Sequence, residues 1–159
     1  MSILLYRVDE RLIHGQVVVG WGSRLQPNRY LVVDDALAAS EWERDLYKLG
    51  LPPGVEAEFI PVSEAISRLD SWRSNPTPSI LLTRDVESMA RLAEGGGMVG
   101  ETVNLGGIHH GRGKQQVLPY LFLDDEDVRC LRLLAGRGID VVAQDLPGAT
   151  PRAVESLLP

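Results

Sequence analysis

The sequence predicts an α/β protein: a three-layer α/β/α domain whose central sheet is mostly parallel and has about six to seven strands. Two observations carry this reading. Short apolar runs alternate with amphipathic segments along the whole chain, and Gly, Pro and capping residues punctuate the joins between them. No composition break, low-complexity tract or internal repeat divides the 159 residues. That length suits one proper core, so residues 1–159 read as a single domain.

Residues 3–6 are apolar and read as the first strand. Val17, Trp21 and Leu25 then recur at four-residue spacing, which places them on one helix face. Between them lies the charged stretch Arg7-Val8-Asp9-Glu10-Arg11-Leu12-Ile13-His14-Gly15-Gln16, a strand-to-helix turn with His14 and Gly15 at the helix start. Residues 29–34 form a second strand. Ser40 is expected to cap a helix with Glu43 three residues on, as in a capping box. That helix carries Trp42, Leu46 and Leu49 on its apolar face and is ended by Gly50 and Pro52-Pro53.

Residues 56–60 suggest a third strand. A helix capped at Ser63 follows, with Val62, Ala65, Ile66, Leu69 and Trp72 inward. After the Pro76 and Pro78 break come a fourth strand, 79–83, and a short helix, 85–94, with Val86, Met89, Ala90 and Ala93 inward. Residues 102–105 are a fifth strand leading into a glycine-rich loop, 106–116. Residues 117–123 are extended, and Pro119 puts them at an edge or bulge. Asp124, Asp125, Glu126 and Asp127 open a helix with Val128, Leu131, Leu134 and Ala135 buried; acids suit a helix start. A strand at 140–144 and a helix at 151–158 complete the chain.

Composition excludes several classes. Hydrophobic content of 44% and charged content of 24% are those of an ordinary globular chain. No apolar run reaches the roughly 20 residues of a membrane span, and no signal-peptide pattern opens the chain. The one cysteine, Cys130, excludes an internal disulfide and reads as a packed core residue. A net charge of −6 argues against nucleic acid as a partner. Against that global charge, Arg7, Arg11, Arg112 and Lys114 all fall in two loops. A cytoplasmic location is expected.

Those loops carry the candidate chemistry. In an open α/β sheet, strand-to-helix turns lie at the carboxyl ends of strands, where ligands bind. Neutral imidazole is nucleophilic near physiological pH, which makes His14 a candidate phosphoryl acceptor. Arg11 offers a planar fork to phosphoryl oxygens. The amides of Gly15, Gln16 and Val17, with Arg7, would complete a phosphate site at the helix start. Asp9 either accepts a hydrogen bond from the imidazole nitrogen that does not attack or pairs with Arg7 or Arg11 to hold the loop; both readings stay open. Gly106, Gly107, His109 and Lys114 offer a second wall of the pocket or a docking loop.

No metal or cofactor is expected. His109 and His110 are adjacent and poorly placed to converge, and there is no Cys pair or His-Glu-x-x-His helix. The stretch from Gly95 to Thr102 has P-loop spacing, but Glu101 stands in place of the lysine and a helix precedes it, so it reads as a plain loop. Trp21, Trp42 and Trp72 fall on apolar helix faces and are expected in the core.

Arg7-x-Asp9-x-Arg11-Leu12-Ile13-His14-Gly15-Gln16-Val17 resembles the signature of the enzyme IIB components of the mannose/fructose/sorbose family of the sugar phosphotransferase system (PTS). Asn104-Leu105-Gly106-Gly107-Ile108-His109, followed by Gly113-Lys114, resembles that family's second conserved segment. The likeness covers nearly the whole chain. It implies a six-stranded parallel core in the order 3-2-4-1-5-6, with room for an extra edge strand. It further implies that His14 accepts phosphate through Nδ1 from a phosphohistidine of enzyme IIA and passes it to a sugar entering through the IIC/IID membrane components. That activity is protein-N(pi)-phosphohistidine–sugar phosphotransfer, and it would bring the chain to the inner face of the membrane. Ser40 stands where the family often has an acidic residue, and Ile108 where it usually has Met. Two rival readings are a regulatory phosphoprotein that signals to a protein partner without sugar transport, and a passive site for a phosphorylated metabolite. Sugar specificity and oligomeric state are not legible in the residues.

Overall fold

The structure, a computed structural model, describes residues 2–158. Its strands are β1 (Ile3–Val8), β2 (Arg29–Val33), β3 (Glu56–Ile60), β4 (Ser79–Thr83), β5 (Thr102–Leu105), β6 (Gln115–Leu118), β7 (Leu121–Leu123), β8 (Asp140–Ala143) and β9 (Arg152–Ala153). Seven of them make one sheet in the order β3-β2-β4-β1-β5-β8-β9. All pair in parallel except β9, which runs antiparallel to β8. The six parallel strands therefore follow the order that the family resemblance implied, and β9 is the added edge.

Both faces of the inner strands β2 and β4 are covered, which is why these read as nearly unbroken apolar runs. Leu31, Val33, Leu81, Val103 and Leu105 turn to one face, against α4 (Val62–Ser74), α5 (Val86–Ala93) and α6 (Asp125–Gly136). Tyr30, Val32, Ile80 and Leu82 turn to the other, where they meet Leu12, Ile13, Val17 and Leu37. Those last residues belong to the turn after β1, to α1 (the helical turns Gln16–Trp21 and Gly22–Leu25) and to α2 (Asp35–Ala38).

Helix α1 departs from the regular winding its spacing predicts. Gln16–Trp21 is a π-helical turn that continues as the α-helix Gly22–Leu25. Val17 and Trp21 are buried, and Leu25 half-buried. Short π segments often mark functional sites.

Other expectations need correction. Ser40 starts α3 (Glu41–Lys48) but makes no side-chain cap bond, so no capping box with Glu43 forms. The apolar side of α3 faces outward: Trp42 is 66% exposed and Leu49 81%. The helix leans on the sheet instead through Tyr47, whose ring lies 6.4 Å from that of Phe59. Helix α4 begins after Pro61 rather than at Ser63, because the Val62 amide is taken by Asp35 Oδ1 at 2.8 Å. Ile66 is partly exposed and Ala135 exposed. In place of a helix over 151–158 there are strand β9 and the 3-10 turn Val154–Leu157.

The acidic start of α6 is the dipole-matched cap expected for it. Asp124 accepts from the Asp127 amide at 2.8 Å, and Asp127 accepts from the Asp124 amide at 3.1 Å. Strands β6 and β7 form a small antiparallel hairpin turning at Pro119-Tyr120. Ile108 is stitched to it through Tyr120 O and the Phe122 amide, each at 3.0 Å. Among the described residues no helix is long and apolar enough to cross a membrane.

Candidate functional site

Strand β1 connects through α1 toward β2 on one side, while its other neighbour, β5, leads on toward β8. The loops leaving β1 and β5 therefore diverge, and the crevice between their carboxyl ends is the sheet's topological switch point. His14 follows β1 there, and Gly106 follows β5. Two backbone bonds join these loops: the Gly106 amide donates to Val8 O at 2.7 Å and the Glu10 amide to Gly107 O at 2.9 Å.

A tight turn shapes the first loop. The Leu12 amide donates to Asp9 O at 3.0 Å and the Arg11 amide to Asp9 Oδ1 at 3.2 Å. Leu12 itself takes a left-handed φ of 57°, uncommon for a bulky residue. Its side chain is fully buried against the second face of the sheet, and that burial holds the strained backbone in place. The chain then reverses into α1, where His14 O accepts from the amides of Val17 at 3.0 Å and Val18 at 2.8 Å.

Asp9 is the hub of the site. It is fully buried, with Oδ1 3.1 Å from His14 Nε2 and Oδ2 3.3 Å from Arg7 Nη2. One carboxylate thus lies within reach of both neighbours, an oxygen to each. The Nε2–Oδ1 approach is within hydrogen-bonding distance but falls short of the alignment of a good hydrogen bond. Burial pushes the Asp9 carboxyl up, but the adjacent His14 ring, the charge of Arg7 and the Arg11 amide outweigh it and hold Asp9 below the ordinary carboxylate range. The His14 side chain is 15% exposed, and its Nδ1 has no hydrogen-bond partner among the described residues.

Arg11 lies at the surface of the same turn. Its side chain is 44% exposed, its Nε sits 3.9 Å from Asp9 Oδ1, and its Nη2 donates to Gln16 Oε1 at 2.7 Å. The amides of Gly15 and Gln16 have no protein acceptor among the described residues, while that of Val17 is spent on His14 O. The expectation for Val17 as an amide donor to phosphate is therefore not met. Arg7 departs further from its expectation: it is fully buried beneath the loop and presents nothing to solvent.

The second loop serves as a wall. A Cβ at Gly106 would fall 2.2 Å from Arg7 Nη2 and 2.6 Å from Asp9 Oδ2, so only glycine lets the strand end pass over that ion pair. Gly107 borders Arg11 Nη2 and Asp9 Oδ1. His109 latches the loops together: its amide donates to Glu10 Oε2 at 2.8 Å, and its Nδ1 meets the same oxygen. Burial would raise the Glu10 carboxyl, but the His109 amide and ring, with Lys114, pull it below its ordinary range. Lys114 points away into the cap of α6, with Nζ 2.7 Å from Asp127 Oδ2.

A groove of about 450 Å³ between Ile13 and α3 is lined by Ile13, Trp42, Glu43, Leu46, Tyr47, Gly50 and Arg84. Among the described residues no cluster of His, Cys, Asp or Glu could hold a metal ion. Sequence reasoning missed Glu10, Leu12, Gln144 and Asp145. The last two gave no signal, lying in a loop after an ordinary strand. Asn104 was visible only as part of the second motif.

Fold and site together define an open α/β domain with a partly exposed histidine, backed by a buried carboxylate, at its switch point. The model of the PTS system sorbose subfamily IIB component matches residues 3–159. The N-acetylgalactosamine-specific phosphotransferase enzyme IIB component 1 of Escherichia coli is 34% identical over 149 residues, covering 92% of each chain. The mannose-specific EIIAB component of the same organism is 34% identical over 141 residues; these are 89% of this chain but 43% of that protein. The crystal structure of the Escherichia coli N-acetylgalactosamine-specific IIB component 1 superposes with a TM-score of 0.86 at 32% identity, covering 94% of this chain and 97% of that one. The chain belongs to the sorbose subfamily of PTS IIB components, a family of sugar phosphotransfer proteins.

Proposed function

We propose that this chain is the phosphocarrier IIB subunit of a sugar phosphotransferase system, with His14 as the residue that carries the phosphoryl group. The observation that supports this most is the orientation of one ring. Nε2 faces the buried Asp9 at 3.1 Å, which leaves Nδ1 without a partner among the described residues, while Arg11 Nε approaches the same Asp9 oxygen at 3.9 Å.

In the reaction, the Nδ1 lone pair attacks the phosphorus of a phosphohistidine on enzyme IIA. The donor's N–P bond breaks, and its electron pair returns to the donor nitrogen. Such transfers are loose and need positioning and charge compensation more than covalent help. Arg11 supplies that compensation, releasing Gln16 to bracket the phosphoryl oxygens, and the free amides of Gly15 and Gln16 add to it. Phosphorylation at Nδ1 with a proton on Nε2 makes the ring cationic, and Asp9 stabilises that charge. A sugar hydroxyl then attacks the phosphorus and gives its proton to water or to a base at the sugar site, while the Nδ1–P bond breaks and its electron pair returns to Nδ1 of His14. Nothing in this scheme requires a metal or cofactor.

Enzyme IIA and the IIC/IID membrane components are the partners this role demands, reached from the cytoplasmic side of the membrane. The Escherichia coli relatives are named for N-acetylgalactosamine and mannose, and an amino or neutral hexose of this kind is the proposed class of substrate. The test is reconstitution with phosphoenolpyruvate, the upstream carriers, a family IIA and membranes bearing IIC/IID. Wild-type chain should restore sugar phosphate formation and His14→Ala should not. Equal formation with both would refute the role given to His14.

A further inference from the structure

Arg7 is a cation sealed beneath the site, and the carrier scheme does not use it. Its guanidinium reaches four acceptors on three stretches of chain. Nη1 donates to Asn104 Oδ1 and, at 2.8 Å, to Gln144 O; Nη2 donates to Asp145 O at 2.9 Å and contacts Asp9 Oδ2 at 3.3 Å. Trp21 covers the group, with its ring centroid 5.1 Å from Cζ, and the Trp21 indole also donates to Asp145 O at 3.2 Å. Asn104 Nδ2 donates in turn to Gln144 Oε1 at 3.2 Å. Gly106 closes the chamber from the β5 side with no room for a Cβ.

We infer that Arg7 is a positioning residue for phosphoryl transfer: by fixing Asp9 Oδ2 and keeping Asp9 ionised, it holds the proton of His14 on Nε2 and leaves the Nδ1 lone pair free to attack. This inference rests on the carrier reading given above. Its physics is independent of that reading. A fully buried carboxylate stays charged only when compensated. The charged and titratable groups facing Asp9 are Arg7 from β1 and His14 and Arg11 from the turn. Around Arg7 stand also Asp145, from the loop after β8, and Tyr120, from the hairpin turn.

Of the two cations nearest Asp9, Arg11 is half in solvent and is needed by the phosphoryl oxygens, so the charge that remains through the cycle is that of Arg7. A planar five-donor fork can meet acceptors from three elements at once, which an ammonium cannot. Without it, Asp9 takes up a proton or turns away. A protonated Asp9 donates to Nε2 instead of accepting from it, so the imidazole proton sits on Nδ1 and occupies the lone pair that must attack.

Two variants and one spectrum test this. Long-range 1H–15N correlation of the wild-type chain at neutral pH should show His14 with the proton on Nε2 and a bare Nδ1. Arg7→Met, close in volume but uncharged, should shift His14 toward the Nδ1–H tautomer and slow its labelling by a family phospho-IIA roughly 10–100-fold, as loss of an orienting partner does elsewhere. It should also move the acid limb of the rate profile to higher pH. Arg7→Lys should keep more of the wild-type tautomer than Arg7→Met does.

A wild-type Nδ1–H tautomer overturns the inference, whether or not the variants fold. So does an Arg7→Met protein that folds and keeps both the wild-type tautomer and the wild-type pH profile. Failure of the carrier reading looks different: wild-type protein that acquires no label refutes the carrier role, while the tautomer spectra still report on Arg7 and Asp9.

Discussion

At Gly106 a single methyl group is enough to disturb the site, because the strand end passes directly over the Arg7–Asp9 pair, 2.2 Å and 2.6 Å from where a Cβ would lie. Neither partner can retreat, since Arg7 is tied to β5 and to the loop after β8, and Asp9 to His14. Gly106→Ala is expected to cost about 1–3 kcal/mol, the usual range for overpacking, read as a lowered urea midpoint with an unchanged slope. Asp9 sets a second expectation. Its folded-state pKa lies below its ordinary value, so its contribution to stability is present above the unfolded pKa of about 3.9 and is lost as pH falls through the folded value. Asp9→Asn should therefore be less stable than wild type at pH 7, with the gap narrowing as both are acidified below about pH 4; a gap that stays constant into acid would contradict this. His14, Arg11 and Asp9 could be picked out as chemical residues because charge clusters in a turn between two apolar patterns. Burial of Arg7 could not, since an arginine within a charged motif looks the same whether it faces a ligand or the core.

Element boundaries were legible where pattern and packing agree. The inner strands β2 and β4 are buried on both faces and write themselves as apolar runs, and α5 and α6 announce their starts with Asp85 and Asp124, both of which cap in the structure. Helix α3 shows where pattern misleads. Trp42, Leu46 and Leu49 have helical spacing, but periodicity records which residues share a face and not whether that face meets the sheet. Two tryptophans separate these cases experimentally. Trp72 is 2% exposed inside α4 and Trp42 is 66% exposed on α3. Trp72→Ala should cost about 3–5 kcal/mol, while Trp42→Ala should stay within about 0.5 kcal/mol of wild type, both by chemical denaturation. Comparable losses would mean that α3 is buried in solution. The 151–158 segment failed as a helix for a local reason: Arg152 and Ala153 are drawn into antiparallel pairing with β8, leaving only a 3-10 turn behind them.

For the whole molecule, strand order is the feature that positions the chemistry. Placing β1 between β4 and β5 makes its carboxyl end the switch point, so the residues after Val8 and after Leu105 line one crevice although nearly a hundred positions separate them. Residue pattern alone cannot supply that order; it came from the resemblance carried by the two motifs, and the sheet agrees with it. Strand pairing then fixes the depth of each group: Asp9 beneath, His14 above it, Arg11 at the surface.

The central claim is that the imidazole of His14 takes and releases a phosphoryl group, and mass-spectrometric mapping of the chain after incubation with phosphoenolpyruvate and the upstream carriers tests it most directly. The account predicts one acid-labile, alkali-stable phosphoryl group on the peptide containing His14, absent from the His14→Ala protein. Phosphate found on another residue, or undiminished in that variant, would contradict it.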